Sequence, residues 1–358
     1  MPTLSDCYLE IAQDVARWSY YDNPPVHIEN IWTAEEDAFY FIKDYFGYAG
    51  KSSVFDDTNL KKNEAHIRSR APHIISTFLL GIKIATIFGI DIGNRDECNM
   101  NFKYYWFLSC LYHDIGYAYE NKSSCDWLKI ATEDGIEGLQ EICDIKYLHK
   151  REFKTYPKEL VELYLKCRAD CQKSHPKLDH GIVGGMLLYD RLRKQFVKAW
   201  KNRTKKSDRR DSFYCTHEAT GRILHLSNSH FDAYAKAADA IIAHNIWKST
   251  LQKYIRDYAD CNQKKYNTIL EKRITIHQEL CFILSLADTI EPLKRNPEYL
   301  QAVAIEPLNI GGGFRLETDK DTFQAVYSEI AGLKDWLAVR VTTENLNNDK
   351  VRITIMAE

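Results

Sequence analysis

Several apolar, helix-periodic segments of this chain each carry an imidazole or a carboxylate at one end, and no other feature constrains its fold as tightly. The stretch "YYWFLSCLYHDIGYAYE" reads as one buried helix, yet it carries His113 and Asp114 side by side. A charge in an apolar interior is costly unless something pairs with it. A helix cap or a neighbouring arginine would satisfy such an aspartate, and so would a metal cation. The same context recurs along the chain. His73 lies near the start of "RAPHIISTFLLGIKIATIFGI", and His180 follows Asp179 at the start of "DHGIVGGMLL". His244 ends "AADAIIAHN", and Asp288 ends "FILSLADT". For any one of these residues a hydrogen-bonded core position is the simpler account. Six in the order H, HD, H, H, D are harder to explain separately, because antiparallel helices can gather ligands at one level around a metal. Imidazole and carboxylate donors without thiolate suit iron, manganese, nickel, zinc or cobalt, and suit magnesium less well. Neighbouring side chains on a helix point about 100° apart, so His113 and Asp114 can flank one ion while the second oxygen of Asp114 reaches another.

The remaining pattern places these residues in a mainly α protein. "TLSDCYLEIAQDVARWSYY" opens on a Ser/Asp cap signal, and "TAEEDAFYFIKDYFGY" has Thr33 ahead of acids in its first turn. Pro72 is placed where a first helical turn tolerates it. Towards the C-terminus the character changes. "AVAIEPLNIGGGFRLET" has strand-like pieces around a glycine run, and "WLAVRVTTENLNNDKVRITIM" alternates on both sides of a turn signal, predicting a β-hairpin. A helix over roughly 321–336 lies between them. The organisation expected is an N-terminal helical extension over 1–65, a helical body over 66–297 with insertions at 121–172 and 191–235, and a small α+β appendage over 298–358.

With 48 basic and 50 acidic residues the net charge is −2, so no global field directs the chain to nucleic acid or a membrane. No apolar stretch is long enough to span a bilayer. The N-terminus lacks a basic segment followed by an apolar run. The ten cysteines are scattered without a CxxC pair, which fits thiols in a reducing cytoplasm. Cys167 and Cys171 stand one helical turn apart, a weak zinc signal without a second pair. The basic run "RLRKQFVKAWKNRTKKSDRR" over 191–210 could contact phosphates, but in a slightly acidic chain it reads better as the solvated end of a helix.

The order and contexts of "LYHDIGY", "DHGIVGGMLL", "AIIAHN" and "LSLADTIEPLKRNP" resemble the HD superfamily of metal-dependent phosphohydrolases. They are most similar to the branch that includes the symmetrical dinucleoside-tetraphosphate hydrolases. The resemblance covers roughly residues 66–297. It implies an HD-domain helical bundle and a two-metal site. His73, His113, Asp114 and Asp288 would hold the first ion, and Asp114 would bridge to a second completed by His180 and His244. Asp114 and Asp288 would serve catalysis, Asp288 also orienting the nucleophilic water. Cyclic-dinucleotide phosphodiesterases of the superfamily carry a further histidine after the His244 position and a GYP motif. This chain has Asn245 and no GYP, and Tyr117 stands where those enzymes often have lysine, which points away from that substrate.

The expectation is therefore a cytoplasmic hydrolase of a phosphoester or phosphoanhydride in a nucleotide or similar small metabolite, compatible with a homo-oligomer. Asp179 would orient a ligand imidazole from behind, as carboxylates next to metal histidines do. Arg70 and Arg295, close to His73 and Asp288, would contact phosphate. His66 could substitute for His73. Two alternatives stand beside this reading. One is a nuclease using the basic 191–210 segment, and the other is a nucleotide-sensing scaffold built on the same body.

Overall fold

The computed structural model describes residues 1–14, 31–48, 64–90, 102–120, 135–147, 153–171, 177–205, 211–216, 221, 223–258, 263–291, 299–309, 311–346 and 349–358. They are mainly helical, with a small antiparallel sheet near the C-terminus. By compactness the chain divides into two units, both discontinuous in sequence.

One unit comprises Phe46–His66 and Gly93–Ile246. Its centre is three helices, Phe102–His113, His180–Lys201 and Ser229–Ala243, with the second packed against both others. Close approach is built into the sequence "DHGIVGG". A Cβ on Gly184 would lie 2.4 Å from the Tyr112 carbonyl oxygen, and one on Gly116 would lie 2.0 Å from the His180 carbonyl oxygen. At these points backbone meets backbone, and any side chain would force the two apart. The expected single helix through "LYHDIGYAYE" is in fact broken. It stops at His113, turns through Asp114–Gly116 and resumes over Tyr117–Glu120. The turn is closed by Ile115 N–H to Tyr112 O at 3.2 Å and Tyr117 N–H to Asp114 O at 3.1 Å.

Two buried carboxylates tie the inserted region to these helices. Asp239, in the middle of the apolar "AADAIIA", accepts hydrogen bonds from the backbone N–H groups of Lys154, Thr155 and Tyr156 at 2.8, 2.6 and 3.2 Å, and from the Thr155 hydroxyl at 2.9 Å. Asp190 accepts from the N–H groups of Lys146 and Tyr147 at 2.9 and 2.8 Å. Charge-assisted bonds of this kind are stronger than neutral ones, so an aspartate on an apolar helix here holds a distant loop. The insertion expected from 191 begins inside the His180–Lys201 helix. It then forms an antiparallel hairpin, β1 (Ser212–Thr216) with β2 (Ile223–Ser227), that the sequence reading did not anticipate.

The other unit comprises Met1–Tyr45, Ile67–Ile92 and Trp247–Glu358. The Glu64–Ile87 helix contains Pro72 well inside it. Residues 64–70 continue the helix upstream of the proline, which therefore does not mark its first turn. The Glu279–Ile290 helix is buried from Cys281 onward. Four strands form one sheet: β3 (Ala304–Pro307), β4 (Gly313–Asp319), β5 (Val339–Asn345) and β6 (Lys350–Ala357), in the order β3-β4-β6-β5 and antiparallel throughout. The β5–β6 hairpin and the glycine run at the β3–β4 turn are those expected, Gly311 and Gly312 taking φ of 72° and 63° that other residues adopt at a cost. The Lys320–Trp336 helix between β4 and β5 is capped by Asp319, which accepts from Thr322 N–H at 2.7 Å. Phe88 meets Phe282 and Phe314 edge-on at 5.3 and 6.1 Å, joining helix and sheet in one core. The N-terminal segment shares this unit with the sheet, Leu4 N–H donating to Val303 O at 2.8 Å and Ile305 N–H to Pro2 O at 3.1 Å. Thr3 caps the first helix, with Asp6 N–H donating to its hydroxyl at 3.1 Å. The boundary expected near 297 lies outside the described residues.

Candidate metal centre

Four of the six residues singled out by the sequence belong to the first unit. His113 is the last residue of its helix, and Asp114 is the first of the turn that follows. His180 opens the next helix, and His244 caps the end of Ser229–Ala243. The packing of the three helices brings these ends to one level. Asp114, His180 and His244 are all buried, and each turns one ligand atom so that the three lie within 4.8 Å of one another. The Nε2 atoms of His113 and His180 stand 3.4 and 3.9 Å from Asp114 Oδ1. The His244 ring centroid is 5.3 Å from that of His113 and 5.4 Å from that of His180. Two imidazoles and a carboxylate converging in this way could hold a metal ion.

The orientation of each ring has an identifiable cause. Nδ1 of His113 lies within hydrogen-bonding distance of Cys110 O, and Nδ1 of His244 of Ile241 O, each the carbonyl three residues earlier. A carbonyl only accepts, so Nδ1 carries the proton and the lone pair is on Nε2. His180 is held differently. Tyr117 stacks on it with centroids 3.8 Å apart and planes 15° apart, and Glu120 Oε2 lies 3.8 Å from its Nδ1. Burial pushes the Glu120 carboxyl above the usual carboxylate range, and the nearby Arg168 only partly opposes it. Arg168, from the inserted Lys158–Cys171 helix, bonds Glu120 at 2.9 Å and lies 3.9 Å from Asp179. Asp179 caps the His180 helix, accepting from Ile182 N–H at 2.9 Å and from the Asn245 amide at 2.5 Å. Its observed bonds are therefore to the backbone of its own helix and to the residue after His244. His66 Nε2 lies 3.3 Å from the backbone carbonyl oxygen of Asp114.

The second unit holds His73 and Asp288, both buried, with His73 Nε2 3.3 Å from Asp288 Oδ1. Behind His73, Glu291 Oε2 accepts from Nδ1 at 2.7 Å, and the other Glu291 oxygen accepts from the Ser76 hydroxyl. Ser76 lies 2.9 Å from the Tyr8 hydroxyl. Glu291 thus fixes the His73 ring with Nε2 turned to the aspartate, the arrangement in which a carboxylate raises a ligand histidine's basicity. Arg70 is half-buried, three residues before His73 on the same helix. Arg295 lies outside the described residues.

Sequence reasoning assigned no role to Glu120, Arg168 or Glu291. Glu291 lies inside the quoted "ADTIEP" stretch, three residues after Asp288, and was legible as its neighbour on the helix end. Arg168 was not, because its connection to Glu120 spans 48 residues. Comparison with protein-family models, curated proteins and solved structures finds no match to this chain.

Proposed function

We propose that this chain is a metal-dependent phosphohydrolase acting on a nucleotide or a similar small phosphorylated metabolite. The observation that carries the reading is the convergence of Asp114, His180 and His244 on one buried point. The fit to a divalent transition metal is chemical. The donors are two neutral imidazole nitrogens and one carboxylate, with the Nδ1 proton of His244 held by a backbone carbonyl. His113, beside Asp114, extends the set, and the motif order gives His73 and Asp288 the same chemistry for a pair of ions. When bound, such cations supply a water of lowered pKa and neutralise charge on the transferring phosphoryl group.

The chain's own residues have separate tasks in this scheme. Asp114, in the turn after its helix, would be the ligand with two carboxylate oxygens to share. Tyr117, stacked on His180, would keep that ring in one orientation, with Glu120 beside its Nδ1. In this scheme Asp288, 3.3 Å from His73 Nε2, would accept a proton from an attacking water, and Arg70 would bind a phosphate oxygen. Elemental analysis of protein purified without chelator and with oxygen excluded tests the reading, alongside Asp114→Ala and His73→Ala. About two ions per chain in the wild type, largely lost in Asp114→Ala, together with phosphate release from a nucleotide panel that falls to background in that variant, is the expected result. Absence of retained metal after reloading with manganese or iron would overturn it and leave the scaffold reading.

A further inference from the structure

The basic run that reads from sequence as a solvated helix end borders a cavity. It belongs to the unit of Phe46–His66 and Gly93–Ile246 and is lined by none of the residues of the metal cluster. Its volume is about 420 Å³, and its walls include Arg193, Phe196 and Trp200 from the last turns of the His180–Lys201 helix, Phe231 from the next helix, and Asp211 and Asn228 at the hairpin. That volume lies in the range of small-molecule sites. The aromatic walls are braced by one another. Phe196 meets Phe231 at 4.4 Å and Phe213 at 5.2 Å, and Trp200 meets Phe213 at 5.1 Å. Arginines are folded into the same wall, with the Arg193 guanidinium 3.6 Å from the Phe231 centroid and that of Arg203 4.1 Å from the Trp200 centroid. Residues 191–205 carry seven basic side chains and no acid. The adjacent Asp190 is engaged by Lys194 at 2.5 Å and by two backbone N–H groups.

We infer that this cavity is a second ligand site, for a nucleobase carrying a phosphate. Three features point to that chemistry together. Trp200 and Phe231, both partly exposed, with buried Phe196 behind them, offer rings against which a planar base can stack, an interaction indifferent to base identity. Arg193, within a positive segment, matches a phosphate. Asp211 and Asn228, exposed at the rim, match the amine and hydroxyl donors of a base or sugar. The phosphorylated base can belong to a free nucleotide or to a single strand. The inference is independent of the metal reading, because no residue is shared.

Binding is measured by titration calorimetry on the full chain in the Asp114→Ala background with chelator present, which removes the metal cluster from the result. The probes are adenosine 5′-monophosphate and an eight-residue deoxythymidine strand. Saturable binding below about 1 mM, weakened about fivefold or more in Arg193→Gln and Trp200→Leu, is expected. A strand that binds much more tightly, with steep salt dependence, identifies single-stranded nucleic acid as the source. Comparable affinities identify the free nucleotide. If either variant fails to fold by circular dichroism, photolabelling with 8-azido-adenosine monophosphate replaces it. Label on the peptides bearing Trp200 or Phe231 supports the site, and label only elsewhere overturns it. Absence of binding by both probes, or folded variants that bind as the parent does, overturns it as well.

Discussion

Replacing Gly184 by alanine tests whether helix packing sets the ligand geometry. The new Cβ would lie 2.4 Å from the Tyr112 carbonyl oxygen, where ordinary contact begins at 3.4 Å, so the two backbones must part by about 1 Å. Alanine favours the helix by up to about 1 kcal/mol over glycine, while overpacking costs about 1–3 kcal/mol. The net loss of stability should therefore be at most about 2–3 kcal/mol. The larger effect falls on metal binding, because Tyr112 immediately precedes His113 and Asp114. Ligand positions need to hold within about 0.2 Å, and disturbances behind the ligands commonly weaken a metal about 10–100-fold. At a metal concentration 100 times the wild-type Kd, binding stabilises the fold by about 2.7 kcal/mol, and this should fall to about 0.4–1.4 kcal/mol in the variant. Urea unfolding with and without manganese measures both quantities. Gly332→Ala is the control, since its Cβ would meet only Trp247 at an ordinary 3.4 Å. Full metal stabilisation in Gly184→Ala would refute the reasoning.

Other residues give separate tests. Lys248 is buried, and burial, with Arg273 nearby, lowers its pKa from 10.5 to about 8. The folded chain releases this proton near pH 8 and the unfolded chain near 10.5, so wild-type stability should gain a rising contribution across that window. Urea titrations of Lys248→Met should lack that contribution. Asp239→Ala removes the acceptor for three backbone N–H groups and should cost about 2–4 kcal/mol, with new proteolytic cleavage around 154–156 as the local readout. Arg168→Met leaves Glu120 without its 2.9 Å partner. It should weaken metal binding about tenfold in a competition titration, with Arg168→Lys recovering part of the loss.

The long helices and the C-terminal hairpin were legible because each carries a complete local signal: apolar periodicity, or alternation around a turn. The ligand candidates were legible for a related reason, since a histidine or aspartate stands out at the end of an apolar run. The break after His113 was harder to see. "YHDIGY" keeps its apolar character through the turn, and the need for glycine at 116 arises from the His180 backbone 64 positions away. Asp239 shows the same limit from the other side. Its sequence context resembles that of Asp288, yet its partners are loop N–H groups over 80 residues distant. An acid in an apolar helix announces a partner without saying whether it is a cation or a backbone.

The histidines differ in what each depends on for its orientation. His113 and His244 take their tautomer from a carbonyl of their own helix, so each is set once its last turn has formed. His180 is stacked by Tyr117, with Glu120 3.8 Å from its Nδ1, and His73 is bonded by Glu291, groups that arrive only when distant chain segments have assembled. Two of the four histidines are thus local chemistry and two are reporters of assembly. A lesion far from the centre should therefore disturb His73 or His180 first, while the rings of His113 and His244 keep their contacts to Cys110 O and Ile241 O as long as those helix ends stay folded.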